Sequence, residues 1–157
     1  MSKLHVEASM VIDVEPAVIY AILSDYRQQH PSITPKKYFS NLIVEEGGQG
    51  AGTVYRVTVT VMGVKNDFHM VVSEPEPGRI IAERDLEKDL VTTFTIDPLE
   101  NGKKSKVTIA TDSAARKGLG GFMDKLFTPP VMRRIYQEEL GLLANYVQNK
   151  KSLTGAL

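Results

Sequence analysis

Nearly everything before Asp112 reads as short strands, and only one stretch, residues 119–147, is long enough to lie across the sheet they imply. Strands with one apolar face need a cover. The stretch offers bulky apolar side chains for it: Phe122, Met123, Leu126, Phe127, Met132, Tyr136, Leu140 and Leu143. A helix of this kind over a curved sheet closes a hydrophobic cavity. That points to the binding of an apolar molecule more directly than to any one reaction.

The strands are legible in order. Residues 4–13 alternate, with Leu4, Val6, Ala8, Met10 and Ile12 on one face. Pro16 suits the first turn of a helix, and residues 17–23 continue it. Ser24 or Asp25 can cap a second short helix over residues 26–30, which Pro31 is expected to stop. Residues 38–46 read as the second strand, with Tyr38, Leu42 and Val44 facing inward. The clearest alternation follows the glycine-rich turn at 47–52: Tyr55, Val57, Val59 and Val61 point one way. A hairpin at Gly63 returns through Phe68, Met70 and Val72. Residues 74–78, EPEPG, are expected to exclude regular structure. Further strands fall at 79–85, 90–96 and 106–111, the last two joined by the hairpin signal Asn101-Gly102. Short turns between consecutive strands imply antiparallel pairing, because parallel neighbours need a long crossover.

Within residues 119–147, Pro129-Pro130 divides two apolar stripes: Leu119, Phe122, Met123 and Leu126 before it, and Met132, Tyr136, Leu140, Leu143 and Val147 after it. The stripes differ in phase, so a break at the prolines lets both face one surface. The glycines at 118, 120 and 121 read either as a helix entry needing positive φ or as a gate to the cavity. This division makes residues 118–130 the movable part of a lid and residues 131–147 its anchored part.

Composition narrows the function. A chain of 157 residues forms one domain, here residues 1–149, with a frayed tail at 150–157. Having no cysteine, it has no disulfide, thiolate metal site or cysteine nucleophile, which fits a cytoplasmic location. The first residues, MSKLHVEASMVIDVEP, do not read as a signal peptide, and no stretch approaches a membrane span. Residues 1–100 carry 9 Lys+Arg and 15 Asp+Glu, a balance of −6, and residues 101–157 carry 10 and 4, a balance of +6. A basic helix on an acidic sheet explains that division, and peripheral contact with an anionic membrane is the sharper alternative. Basic residues are not interleaved with aromatics, so nucleic acid is not an expected partner.

The order of these segments resembles the SRPBCC superfamily, the START-like and birch-pollen-allergen-like proteins that include polyketide cyclase/dehydrase and lipid-transport types. The resemblance is carried by residues 14–26 (VEPAVIYAILSDY), 50–57 (GAGTVYRV), 72–79 (VSEPEPGR) and the terminal helix with its entry GLGG. It implies an α+β helix-grip fold: a seven-stranded antiparallel sheet wrapped around a long C-terminal helix, with two short helices after the first strand and a deep apolar cavity between sheet and helix. It also implies a wide range of ligands and no shared catalytic residues, so function has to be argued from the site.

The expected ligand-binding residues are Tyr55, Val57, Phe68, Met70, Phe94 and Ile109 from the strands, with Phe122, Leu126, Tyr136 and Leu140 from the helix. Each fits a solid core equally well taken alone. Arg84 joins them if Ile80 and Ala82 face inward, since a cavity arginine would meet a ligand carboxylate. The Ile80-Ile81 pair leaves the register open, and a slip of one residue puts Ile81, Glu83 and Asp85 inside instead. Arg133 is a weaker candidate of the same kind. Tyr20, Tyr38, Tyr55 and Tyr136 are possible hydroxyl donors. His5, His30 and His69 form no ligand-spaced pair, and neither metal nor cofactor is expected. No serine sits in a nucleophile elbow, and the glycine turn precedes a strand, so it is not a phosphate loop.

Three functions follow from this reading. The first is non-catalytic binding, and with it transport, of a small hydrophobic or amphipathic ligand such as a lipid, quinone or polyketide-like molecule. The second is a cyclase/dehydratase-type enzyme using the same cavity, marked by Tyr, Arg and acid groups converging on one point. The third is a protein-interaction module, marked by a filled cavity and a large exposed apolar patch.

Overall fold

The computed structural model describes residues 3–114 and 129–154. Seven antiparallel strands form one sheet: β1 (Lys3–Ile12), β2 (Phe39–Glu46), β3 (Val54–Val61), β4 (Val64–Glu76), β5 (Ile80–Asp85), β6 (Leu90–Leu99) and β7 (Lys104–Ala114). The helices are α1 (Pro16–Ser24), α2 (Gln29–Ser32) and α3 (Pro129–Thr154). The strand order is β1-β7-β6-β5-β4-β3-β2. Strands β1 and β2 are consecutive in the chain yet lie at opposite edges, so α1 and α2 carry the chain from one edge to the other. This is the seven-stranded α+β helix-grip arrangement.

The core sits on one face of the sheet. Alternate residues of every strand point into it, including Val6, Ala8 and Ile12 from β1, Val57, Val59 and Val61 from β3, and Val107 and Ile109 from β7. Helix α3 contributes Ile135, Tyr136, Leu140, Leu143 and Val147 and packs against β1. These positions recur at spacings of three and four, one stripe of a 3.6-residue helix. Polar ties also hold the helix, among them Glu138 pairing with Lys37 at 2.6 Å, Lys150 donating to Gln29 Oε1 at 2.8 Å, and Lys151 donating to the Asp13 carbonyl. Among the described residues no helix is long and apolar enough to cross a membrane.

Several sequence expectations are corrected. The second helix is α2, Gln29–Ser32, and Pro31 lies inside it. Proline is tolerated there because N–H groups of a first turn have no intrahelical partner. The N-cap of α2 is Gln28, without a side-chain cap bond, and Asp25 instead serves the preceding turn, its Oδ1 accepting from the backbone N–H of Arg27 and Gln28, both at 3.1 Å. Strand β4 runs through Pro75 to Glu76. Pairing with β5 shifts between Ser73 and Glu76, and in that irregularity the missing proline N–H breaks no ladder bond. Helix α3 is described from Pro129 to Thr154. Of the expected movable segment, 118–130, residues 118–128 lie outside the described residues, and Pro129 and Pro130 belong to α3.

The packing of α3 gives a direct test. Leu143 is 1% exposed and its neighbour Leu142 is 37% exposed. Leu143→Ala is expected to cost about 2–5 kcal/mol in urea denaturation, and Leu142→Ala less than about 0.5 kcal/mol. Equal costs would contradict this orientation of the helix.

Candidate functional site

A cavity of about 110 Å³ lies between the inner face of the sheet and α3. Its apolar walls come from β3 (Val57, Val59), β4 (Phe68, Met70), β6 (Leu90, Phe94) and α3 (Met132, Ile135), with Phe39 and Leu42 from β2. The void is smaller than the roughly 300–1,000 Å³ of pockets that hold drug-sized ligands. A larger guest therefore requires lining side chains to move, and Met70 and Met132 are of the type that adapts most readily.

Strand register writes a polar row across the apolar face. Glu83 pairs with Thr92 on β6, and Thr92 pairs with Thr111 on β7. All three line the cavity. Thr92 Oγ1 and Thr111 Oγ1 are 2.6 Å apart, and Thr111 Oγ1 is hydrogen-bonded to the Tyr136 hydroxyl from α3. Burial, foremost, pushes the Tyr136 phenol up to about 12.

Around Glu83 a second group converges. Tyr26 donates to Glu83 Oε1 at 2.7 Å, and Tyr55 also reaches this carboxyl. The two rings stack at 5.3 Å. Burial first, and the charge of Glu83 second, push both phenols well above their ordinary value, so they remain donors. Tyr26 is positioned by the glycine turn, its N–H donating to the Gly48 carbonyl at 2.9 Å. Gly48 has φ +133°, and a Cβ there would come within 2.4 Å of Arg27 Nε. The turn is thus a structural clamp. His30 lies against Tyr26 at 4.7 Å and edge-on to Phe94 at 5.3 Å, with Nδ1 donating to the Leu23 carbonyl at 2.7 Å.

Glu139 completes the set. It stands in the apolar stripe of α3, three residues after Tyr136 and four before Leu143, lines the cavity, and is 5% exposed. Among the described residues its carboxyl has no hydrogen-bond partner. Desolvation, reinforced by the neighbouring Glu83 charge, pushes it up to about 8. Glu83 has phenol donors and Glu139 has none, so the proton of this acid pair belongs on Glu139 at neutral pH.

Six of the expected residues line the cavity: Tyr55, Val57, Phe68, Met70, Phe94 and Tyr136. Ile109 and Leu140, each 1% exposed, are solid core instead. Arg84 is a correction. Register puts Ile81, Glu83 and Asp85 on the inner face, so the pleat turns Arg84 out to solvent. Arg133 is likewise exposed. Phe122 and Leu126 lie outside the described residues. Tyr20 bonds Glu74, away from the cavity, and Tyr38 does not line it. Tyr26, His30, Glu83 and Glu139 were not among the expected site residues. The stripe spacing alone places Glu139, whereas Tyr26 and His30 arrive from a connection whose path the sequence does not specify. Asp85, also buried, is bound by the N–H groups of Glu87 and Lys88, both at 2.7 Å, and serves the β5–β6 turn.

Comparison with known proteins agrees with this architecture. Residues 3–148 match the family described as polyketide cyclase / dehydrase and lipid transport. The chain belongs to this family. KanY, known from an NMR solution structure, is 32% identical with a TM-score of 0.80, the match covering 94% of this chain and 99% of that one. The Zhui aromatase/cyclase from Streptomyces sp. R1128 is 20% identical with a TM-score of 0.76, covering 99% and 100%. A START superfamily protein from Mycobacterium smegmatis is 16% identical with a TM-score of 0.63, covering 96% and 98%. No curated protein sequence matches the chain.

For a polyketide cyclase / dehydrase and lipid transport domain the buried acid carries a measurable signature. Glu139 has an ordinary value of 4.5 and a folded value of about 8. Between them the folded chain holds one more proton than the unfolded chain. This contribution to stability is complete below 4.5 and is lost as pH rises through about 8, at up to about 1.4 kcal/mol per pH unit. Glu139→Gln removes the loss, so the stability of the variant relative to the native chain is expected to increase from pH 5 to pH 8 in urea unfolding. A constant difference would show that Glu139 is not buried as a neutral acid.

Proposed function

We propose that the chain binds a small amphipathic ligand in this cavity, with the apolar body among Val57, Phe68, Met70 and Phe94 and the polar end at Glu83 and Glu139. The carrying observation is the asymmetry of the lining: apolar side chains make most of the wall, and the polar groups converge at one place. Such a site orients a guest as well as holding it. Lipids, quinones and polyketide-like molecules fit this description, and so does carriage of the guest as a single-domain cytoplasmic protein.

A second reading, an enzyme of the cyclase/dehydratase kind, is favoured by one feature. A neutral acid at Glu139 beside Glu83 can give and take protons within an enclosed site, as dehydration of a β-hydroxy carbonyl chain needs. The arginine expected at such a centre is absent from the described cavity lining.

Among the described residues the exposed large apolar side chains are Val11 on β1, Ile43 on β2, Met62 in the β3–β4 turn, Leu86 just after β5, and Leu142 and Leu153 on α3. Most lie on separate elements, and Leu142 and Leu153 are eleven residues apart along α3, which favours the cavity over an interaction surface.

Native mass spectrometry of the protein purified from its own host, followed by lipid extraction, tests the binding reading. A stoichiometric small molecule is expected, and a cavity-filling Val57→Phe variant that keeps its thermal transition is expected to lose at least tenfold of its occupancy. A protein that is always empty and binds no hydrophobic fluorescent probe would remove the main support. Turnover of a linear poly-β-carbonyl thioester with loss of water, abolished in Glu139→Gln, would instead select the enzyme.

A further inference from the structure

Glu139 and Glu83 are two buried carboxyl groups on one cavity, and none of the described lysine or arginine side chains lines it. The nearby cations are engaged elsewhere. Arg84 faces out from β5, Lys88 lies over the ring of the wall residue Phe68 at 4.5 Å, 3.8 Å from Asp85, and donates to the Asp67 carbonyl, and Lys37 pairs with Glu138 of α3. The polar groups that line the cavity with Glu139 are instead an acid, hydroxyls and one imidazole: Glu83 from β5, Tyr26, His30 and Thr34 from the segment around α1 and α2, Tyr55 from β3, and Tyr136 with Thr92 and Thr111. A buried acid pair without a cation is expensive to keep. Glu139, 5% exposed, lining the cavity and without a hydrogen-bond partner among the described residues, is a carboxyl open to a guest.

We propose that this end of the cavity selects ligands carrying a protonated amine, whose ammonium group Glu139 and Glu83 hold between them. The inference rests on the ligand-binding function above and names the polar group of the guest. An ammonium brings up to three N–H donors. Glu83 already accepts from Tyr26 at Oε1 and is also reached by Tyr55, so it offers the guest its remaining lone pairs, while among the described residues neither oxygen of Glu139 has a hydrogen-bond partner. A ligand carboxylate would meet repulsion from Glu83. A ligand hydroxyl would find an acceptor but leave the acid pair uncompensated. Binding an ammonium at neutral pH transfers the Glu139 proton to solvent: neutral acid plus cation becomes ion pair plus one released proton.

The probes are 2-phenylethylamine, 2-phenylethanol and phenylacetate, which share one ring and differ in the polar group. Their affinities for the full chain are read by NMR titration between pH 5.5 and 7.5. The amine is expected to bind at least tenfold more tightly than the alcohol at pH 7.5, tightening about tenfold per pH unit as the proton leaves, while the alcohol stays flat. Glu139→Gln, checked for an intact thermal transition, is expected to lose both the preference and the slope. If amine and alcohol bind alike, or phenylacetate binds best, the amine inference is overturned and the cavity function stands. If no probe binds, both fall.

Discussion

One helix has to cover the inner face of a seven-stranded sheet, and the rest of the structure depends on that contact. An antiparallel sheet this wide presents a row of apolar side chains from each strand, and among the described helices only α3 is long enough to cross them. The stripe Ile135, Tyr136, Leu140, Leu143 and Val147 meets that need. The chain passes from edge strand β1 to edge strand β2 through α1 and α2, which also brings Tyr26 and His30 over the sheet. The cavity is what remains where side chains of helix and sheet do not meet.

The polar groups inside it are placed by the same regularities that build the core. Strand pleating with fixed register sets Glu83, Thr92 and Thr111 side by side, and helical periodicity sets Tyr136 and Glu139 above them. Replacing Glu139 by leucine would extend the stripe and add apolar burial, so the acid is a cost to folding. Its neighbours reduce that cost only in part. Phenol donors serve Glu83, and the proton that makes Glu139 neutral is the remaining compensation. A site held against the interest of stability is where binding or chemistry is best sought.

The alternation in β3 and β4 was legible because one face is apolar throughout, and four of the expected residues, Tyr55, Val57, Phe68 and Met70, line the cavity for that reason. Arg84 was not placed correctly, because Ile80 and Ile81 are both hydrophobic and either could start the inward set. The decision came from pairing, with Ile81 opposite Phe94 and Glu83 opposite Thr92. Pairing is a long-range fact that local pattern does not contain. Glu139 is a different case. Its spacing was plain, but a carboxylate in an apolar stripe reads as a flank until the cavity behind it is known. Tyr26 and His30 depend on a clamp between Ser24–Tyr26 and the glycine turn, two segments brought together only by the fold.

Proteins sharing this architecture at 20% identity or less share the fold, and their cavities need not share a guest. The reason is visible in the division of labour along each strand. The register that fixes Glu83, Thr92 and Thr111 is maintained by backbone pairing and by the apolar residues on either side of them. A change at any of the three alters the polar row without moving the sheet. On the helix, Glu139 can change while Leu140 and Leu143 hold α3 in place. The fold therefore decides that there is a cavity and where its polar end lies, and a few side chains at fixed positions decide what that end accepts. In this chain those side chains are acids and phenols, a combination that disfavours an anionic guest and rewards one that brings hydrogen-bond donors or positive charge.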